Sequence, residues 1–130
     1  MTKRLLVIDD AMIIREMIKD AAREDGWEIV GHATNGQEGI EQFEKLQPDA
    51  VTLDLVMPEF DGMHGLRGIK QLNRDAQVLI VSALDQAEIL KEALRAGAAD
   101  FIAKPFNKGR LLAALQKIAA RTAKREPQLV

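Results

Sequence analysis

The architecture of this chain follows from one octapeptide, Val51-Thr52-Leu53-Asp54-Leu55-Val56-Met57-Pro58. Residues 50–53 form a short predicted strand that ends at the carboxylate of Asp54, and Pro58 and Gly62 then force a turn. Short strands bounded by turn-forming residues are typical of parallel sheets that are covered on both faces. Asp54 therefore stands at the carboxyl end of a strand, where open α/β sheets place the groups that handle ligands.

The rest of the chain alternates short strands with amphipathic helices. Apolar runs predict strands at residues 5–8, 28–33, 50–53, 78–81 and 100–103. Helices are predicted at residues 12–25, after the Asn35-Gly36 turn, at 63–72, at 86–96 and from about 108. This pattern predicts an α/β fold, a doubly wound five-stranded parallel sheet with helices on both faces. We adopt for it the flavodoxin-like strand order 2-1-3-4-5, a known order of this class, rather than deriving one.

Helical spacing also predicts which side chains face the core. The predicted inner faces are Ile14, Met17, Ile18, Ala21 and Ala22 in the first helix, Ile40, Phe43 and Leu46 in the second, Met63, Leu66, Ile69 and Leu72 in the third, and Leu111, Leu112, Leu115 and Ile118 in the last. The last helix is expected to fray into a basic tail that Pro127 ends.

Length and composition exclude several classes of protein. The 130 residues fit one domain at 1–120, with a short basic tail at 121–130 and no output domain. The absence of cysteine removes disulfides and thiolate chemistry. No signal peptide is visible, no apolar run approaches the ~20 residues that span a bilayer, and the net charge of −2 gives no general attraction to nucleic acid or lipid. We therefore expect a cytoplasmic protein that binds neither DNA nor membranes.

Polar side chains follow four of the five predicted strands. Asp9 and Asp10 follow the first, Asp54 the third, Ser82 the fourth and Lys104 the fifth. Because the carboxyl ends of parallel strands share one edge of the sheet, we expect these groups to meet at one mouth. Separately, the acids are common helix caps, serine favours turns, and the lysine would ordinarily be a solvated loop residue. Only their joint placement favours a site.

Such a cluster of acids requires compensation. Carboxylates ~4 Å apart repel by about 4 kcal/mol per pair at an effective dielectric near 20, so the cluster needs a cation or raised pKa values. Mg²⁺ prefers oxygen ligands and often binds through one or two carboxylates and a phosphoryl group. Zinc is a poor competitor, because cysteine is absent and the two histidines, His32 and His64, are predicted surface residues. Beside Mg²⁺ and Lys104, Asp54 is equipped to attack phosphorus, with Ser82 as a hydrogen-bond donor to the phosphoryl group.

At these residues the chain resembles the receiver domain of two-component response regulators, over residues 3–120. The resemblance is carried by Asp9-Asp10, Asp54-Leu-Val-Met-Pro58 with Asp61-Gly62, Ser82-Ala83 and Lys104-Pro105-Phe106, in family order. The length, the stretch 82–86 and the segment 96–98 are most similar to the single-domain chemotaxis CheY type.

The resemblance implies a phosphoacceptor and a magnesium site. Asp54 would accept a phosphoryl group from a sensor histidine kinase. Asp10 and Asp54 would bind Mg²⁺ directly together with the backbone oxygen of Val56, and Asp9 would act mainly through water. Lys104 would hold the phosphoryl group, with a cis peptide bond before Pro105.

The resemblance also implies a switch more than an enzyme. Ser82, with Ala83 beside it, would move toward the phosphoryl group, and the Phe101 ring would turn into the space vacated. The fourth helix, fifth strand and fifth helix would form the output face. A flagellar motor switch protein is the expected partner; the alternative is a phosphorelay to a histidine phosphotransferase, and a phosphatase is a further partner.

Three positions depart from the best-studied chemotaxis examples. Phe101 stands where tyrosine is frequent, so the switch must work without a phenol hydrogen bond. Val56 and Leu84 are apolar where polar groups often help to position the attacking water. We therefore expect slow loss of phosphate.

Three other classes fit less well. A haloacid-dehalogenase-type phosphatase requires a second acid two residues after its aspartate nucleophile, where this chain has Val56. A flavodoxin-type redox module requires a Ser/Thr/Gly phosphate loop after the first strand, and residues 10–13 are unlike one. An interaction module that is never phosphorylated would not need the intact cluster of acids.

Overall fold

The structure, a computed structural model, describes residues 3–83 and 87–125, with side chains up to Thr122. Its strands are β1 (Lys3–Ile8), β2 (Trp27–Ala33), β3 (Ala50–Leu53), β4 (Val78–Ala83) and β5 (Asp100–Lys104). Its helices are α1 (Met12–Glu24), α2 (Gly36–Leu46), α3 (Gly62–Leu72), α4 (Ala87–Arg95) and α5 (Lys108–Arg125).

The strands form one parallel sheet in the order β2-β1-β3-β4-β5, which confirms the predicted fold class. The central pair matters most for function. Ile8 at the end of β1 lies opposite Leu53 at the end of β3, and the backbone N–H of Asp54 donates to the Ile8 carbonyl at 3.0 Å. The residues that follow these two strands therefore leave the sheet side by side.

The sheet has a hydrophobic layer on each face. Leu6 and Ile8 of β1 belong to one core cluster together with residues of α2, α3 and α4, whereas Leu5 and Val7 belong to a second cluster with residues of α1 and α5. Successive strand residues point to opposite faces, so a strand covered on both sides must be apolar at every position. This requirement explains the continuous apolar run in β1.

The prediction that Met17 and Leu72 face the core is wrong. Their exposed fractions are 45% and 42%. Leu72 is the last residue of α3, where the helix no longer covers the sheet, and Met17 lies on the rim of α1 because Ile18, Ala21 and Ala22 occupy its buried stripe. Lys19 is buried instead; the hydrocarbon stem of a lysine can cover apolar surface in this way.

The chain differs from the prediction at two further places. Strand β4 includes Ser82 and Ala83, so Ser82 is a strand residue opposite Ala103 and not a turn residue. Helix α5 continues through Arg125, so the first half of the expected tail is helical. Residues 84–86, with Leu84, and residues 126–130 lie outside the described residues. None of the described helices has the length and apolar character needed to cross a membrane.

Candidate functional site

Three carboxylates meet at the carboxyl edge of the sheet. Asp9, Asp10 and Asp54 each offer one oxygen, and these oxygens lie within 4.8 Å of one another. Asp9 is 1% and Asp54 5% exposed, while Asp10 is open to solvent. The register of β1 against β3 brings these side chains together. The sequence predicts that they meet at this edge. We call these residues and Lys104 the acid pocket.

Lys104 reaches two of these carboxylates, Asp9 and Asp54, from the edge strand β5. Its Nζ lies 2.9 Å from Asp9 Oδ2 and 3.3 Å from Asp54 Oδ2. The lysine is the last residue of β5, and β4 separates that strand from β3, so a long side chain is needed to cross the gap. The Lys104–Pro105 peptide bond is cis, as the resemblance implies.

The charges in the acid pocket are unbalanced. Burial raises the pKa of Asp54, the Lys104 ammonium opposes this shift, and the Asp9 carboxylate adds to it. Burial alone would lower the pKa of Lys104, but the hydrogen bond to Asp9 and the charges of both carboxylates outweigh burial and raise it. Three carboxylates against one ammonium leave two negative charges when all are ionised (3 − 1 = 2). An all-oxygen donor set with that charge fits a hard divalent cation such as Mg²⁺.

The loop after β3 is held in one shape. The Val56 N–H donates to Asp54 Oδ1 at 3.3 Å, and the Val56 side chain is exposed. Gly62 donates to the Leu55 carbonyl at 3.0 Å, and a Cβ at Gly62 would lie 2.1 Å from the Asp54 carbonyl oxygen. Asp61 caps α3 by accepting from the His64 N–H at 3.0 Å. The Asp61-Gly62 pair therefore sets the backbone path that presents Asp54.

Ser82 and Phe101 lie on the strands beside this mouth. Ser82 is buried on β4, between the strands that lead to Asp54 and Lys104, and its Oγ has no hydrogen-bond partner among the described residues. Ala83, which follows it, is exposed. Phe101 on β5 is half-buried and packs against the core cluster that includes α4 residues. A buried hydroxyl without a partner can donate to a group that enters the pocket.

Both histidines are exposed, as the sequence predicts, and neither belongs to the cluster of three acids. His32 Nδ1 is 3.0 Å from Lys19 Nζ, and His64 Nε2 is 2.7 Å from Gln37 Oε1. Partial burial lowers the pKa of His32, and the nearby charges of Lys19 and Arg15 lower it further. Of the groups of potential metal ligands in residues 3–83 and 87–122, only the cluster of three acids qualifies.

Sequence reasoning missed one contact of the acid pocket. Arg15 on α1 donates from Nη1 to the backbone oxygen of Asp9 at 2.7 Å. The arginine lies on a helix and not at a strand end, so the rule that collects residues at strand ends does not find it. Its spacing of six residues from Asp9 is the only local signal in the sequence.

Fold and site together define a signalling receiver with an acidic, lysine-flanked mouth. The response regulator receiver domain family matches residues 5–116. The chain belongs to this family.

Several proteins with sequences similar to this chain are chemotaxis proteins. The chain is 42% identical over 119 residues to the chemotaxis protein CheY of Thermotoga maritima, covering 92% of this chain and 99% of the relative. It is 43% identical over 117 residues to CheY of Bacillus subtilis, covering 90% and 98%. Among solved structures, a chain of the CheX-CheY-BeF3-Mg²⁺ complex from Borrelia burgdorferi superposes with a TM-score of 0.85 at 28% identity, covering 89% of this chain and 88% of that one.

Proposed function

We propose that this protein is a phosphorylation-controlled switch of bacterial chemotaxis in which Asp54 accepts the phosphoryl group. The observation that carries the proposal is the Lys104 ammonium, which lies within 3.3 Å of both Asp9 and Asp54. An ammonium at this position can stabilise the charge that develops on phosphoryl oxygens as they approach Asp54.

The transfer requires little of the protein beyond position and charge. An Asp54 oxygen forms a bond to phosphorus while the bond from phosphorus to the donor's imidazole nitrogen breaks, and that nitrogen keeps the electron pair. Asp10, Asp54 and the Val56 carbonyl would hold Mg²⁺, with Asp9 acting mainly through water, and the ion would supply charge neutralisation at the phosphoryl oxygens. Lys104 holds a phosphoryl oxygen, and Ser82 supplies a hydrogen bond. Because the only acceptor is the protein's own carboxylate, the protein is a switch more than an enzyme.

The proposed output is a change of conformation next to the mouth. Phosphorylation adds about two negative charges and several acceptor oxygens beside Lys104 and Ser82. The Ser82 hydroxyl, which has no hydrogen-bond partner among the described residues, can move to donate a hydrogen bond to this group, and the half-buried Phe101 ring can then move inward. The affected surface is formed by α4, β5 and α5, and its affinity for a partner would change.

The proposed partners follow from the relatives. Similarity to chemotaxis proteins CheY favours a sensor histidine kinase as the donor and the flagellar motor switch as the target. The CheX-CheY complex from Borrelia burgdorferi makes a CheX-like protein a further candidate, bound to the phosphorylated form.

The test is direct chemical labelling. The protein is incubated with Mg²⁺ and acetyl phosphate, and intact mass is measured before and after. We expect the added mass of one phosphoryl group on the wild type and none on Asp54→Asn. The matched control is Asp20→Asn, which neutralises an exposed acid on α1 that pairs with exposed Arg23; it should be labelled like the wild type. Equal labelling of Asp54→Asn would contradict the proposal.

A further inference from the structure

The β1–α1 loop, residues 9–11, is not held by an ordinary helix cap. The residue before α1 is Ala11, which makes no side-chain cap, and the first turn of α1 has no acidic residue. Helix starts are usually secured by a capping side chain or an early acid. Here the loop is closed by two other contacts. The Ala11 N–H donates to Asp9 Oδ1 at 2.9 Å, and Arg15 Nη1 donates to the Asp9 backbone oxygen at 2.7 Å.

The position of Arg15 is not explained by the stability of the helix. It is the fourth residue of α1, where a cation lies at the unfavourable end of the helix dipole. Arg15 is half-buried, and its Nε is buried without a hydrogen-bond partner in the described part of the chain, so the inner part of the guanidinium is removed from solvent. The favourable interaction in this arrangement is the hydrogen bond from Arg15 Nη1 to the backbone oxygen of Asp9.

We propose that Arg15 is a positioning residue for the cation site: by holding the carbonyl of Asp9, it fixes the orientation of the two adjacent carboxylates, Asp9 and Asp10. The Asp9 carboxylate is already held at Oδ1 by the Ala11 N–H and at Oδ2 by Lys104. Arg15 completes this set by fixing the backbone between the two acids. Contacts behind a metal ligand commonly change metal affinity ten- to a hundredfold. The inference rests on the proposed Mg²⁺ site.

The sign of the effect separates positioning from simple electrostatics. Removal of a positive charge near a cluster of acids should make cation binding tighter, because repulsion between the two cations disappears. Removal of a positioning contact should make it weaker, because the carboxylates lose their fixed geometry. A substitution that removes both the charge and the contact therefore gives opposite results under the two explanations.

The experiment measures Mg²⁺ binding by titration calorimetry on the full chain. For Arg15→Met we expect the Kd to rise about tenfold, and for Arg15→Lys, which keeps the charge and one donor group, we expect a smaller rise. The control is Arg23→Met on the same helix. Arg23 is exposed and pairs with exposed Asp20, so this variant also removes one charge but no contact of the loop. Its Kd should equal that of the wild type or be slightly lower.

Each outcome has one meaning. A wild-type chain that does not bind Mg²⁺ overturns the proposed metal site and this inference with it. A wild type that binds, with Arg15→Met binding equally or more tightly, overturns the role of Arg15 and leaves the site intact. Should Arg15→Met fail to fold by circular dichroism, Arg15→Gln replaces it, with weaker binding as the supporting result and equal or tighter binding as the contrary one.

Discussion

Lys104 and Lys19 bury similar ammonium groups in different ways. Their side chains are 21% and 10% exposed. Lys104 faces two buried carboxylates, which raise its pKa. Lys19 faces the neutral ring of His32 at 3.0 Å and the exposed carboxylate of Glu16 at 3.4 Å. We call this second group the α1–β2 flank.

The difference lies in the charge that remains. A buried charge is tolerated where partners and hydrogen bonds compensate it. In the flank, a neutral acceptor and a solvated acid satisfy the ammonium, and protonation of the ring is disfavoured. The acid pocket holds three carboxylates and one ammonium, so negative charge is left over. Of the two regions, only the acid pocket keeps negative charge that a cation can neutralise. The partners of a buried lysine, and not its burial, therefore mark a reactive site.

Substitution of the two lysines should give the largest difference. In Lys104→Met, labelling by acetyl phosphate should slow about a hundredfold, because a preorganised donor to the developing charge is lost. Lys19→Met removes an ammonium of similar burial from the flank and should leave the rate within about twofold, since Lys19 contacts no residue of the acid pocket. The measurement is the rate of mass increase at fixed Mg²⁺. Equal rates for the two variants would contradict the claim that its acidic partners make Lys104 different from Lys19.

Neutralisation of Asp54 should stabilise the protein in the absence of Mg²⁺. Because its pKa is raised, mainly by burial, the folded state binds the proton more readily than the unfolded chain does. The stability that Asp54 contributes is therefore complete below its unfolded value of 3.8 and is lost as pH rises through the folded pKa. Asp54→Asn should then melt a few degrees higher than the wild type at neutral pH.

Two controls, added Mg²⁺ and lower pH, test the difference in melting temperature between the wild type and Asp54→Asn. Added Mg²⁺ should raise the melting temperature of the wild type more than that of Asp54→Asn, because a ligand stabilises the state that binds it. Acidification toward pH 3.8 should narrow the difference measured without Mg²⁺, because the wild-type carboxyl becomes neutral. A variant that melts lower than the wild type without Mg²⁺ at neutral pH would show that the pair with Lys104 outweighs the cost of burial.

The two regions also differ in how far the sequence predicts them. The acid pocket lies at strand ends, and the parallel sheet brings strand ends together by topology, so Asp9, Asp54 and Lys104 could be assigned without coordinates. The flank joins the middle of α1 to an edge strand. Which helix residue meets which strand residue depends on how the helix rotates and tilts over the sheet, and helical periodicity does not determine this.

The same limit explains the individual errors. Met17 fits the apolar spacing of α1 but lies beyond the edge of the surface that the helix covers, whereas Lys19 reaches His32 because its stem is long. The role of Ser82 as a buried strand residue depends on β4 extending beyond its apolar run. Serine's preference for turns gives no sign of that extension.

Val56 tests whether an apolar side chain beside the acid pocket slows the loss of phosphate from Asp54. Its side chain is exposed next to the mouth and offers no hydrogen bond to an attacking water. Val56→Asn should therefore shorten the lifetime of the phosphorylated form several-fold, because a polar group can position the water. The measurement is the decay of labelled protein after the phosphodonor is removed. A wild-type lifetime of seconds that lengthens in Val56→Asn would contradict the expectation of slow loss.

The smallest expected effect belongs to the flank and appears only in acid. Because partial burial and the charges of Lys19 and Arg15 lower the pKa of His32, the unfolded chain binds this proton more readily than the folded protein does. Stability should therefore fall as pH drops from 6.5 toward the lower folded pKa. His32→Gln keeps an acceptor for Lys19 but cannot titrate, so its melting temperature should fall less over that range, by a degree or two. His64→Gln removes the other histidine and should retain the wild-type dependence. If His32→Gln and the wild type fall in parallel, burial and the nearby charges do not lower the pKa of His32, and the expectation for the flank is wrong.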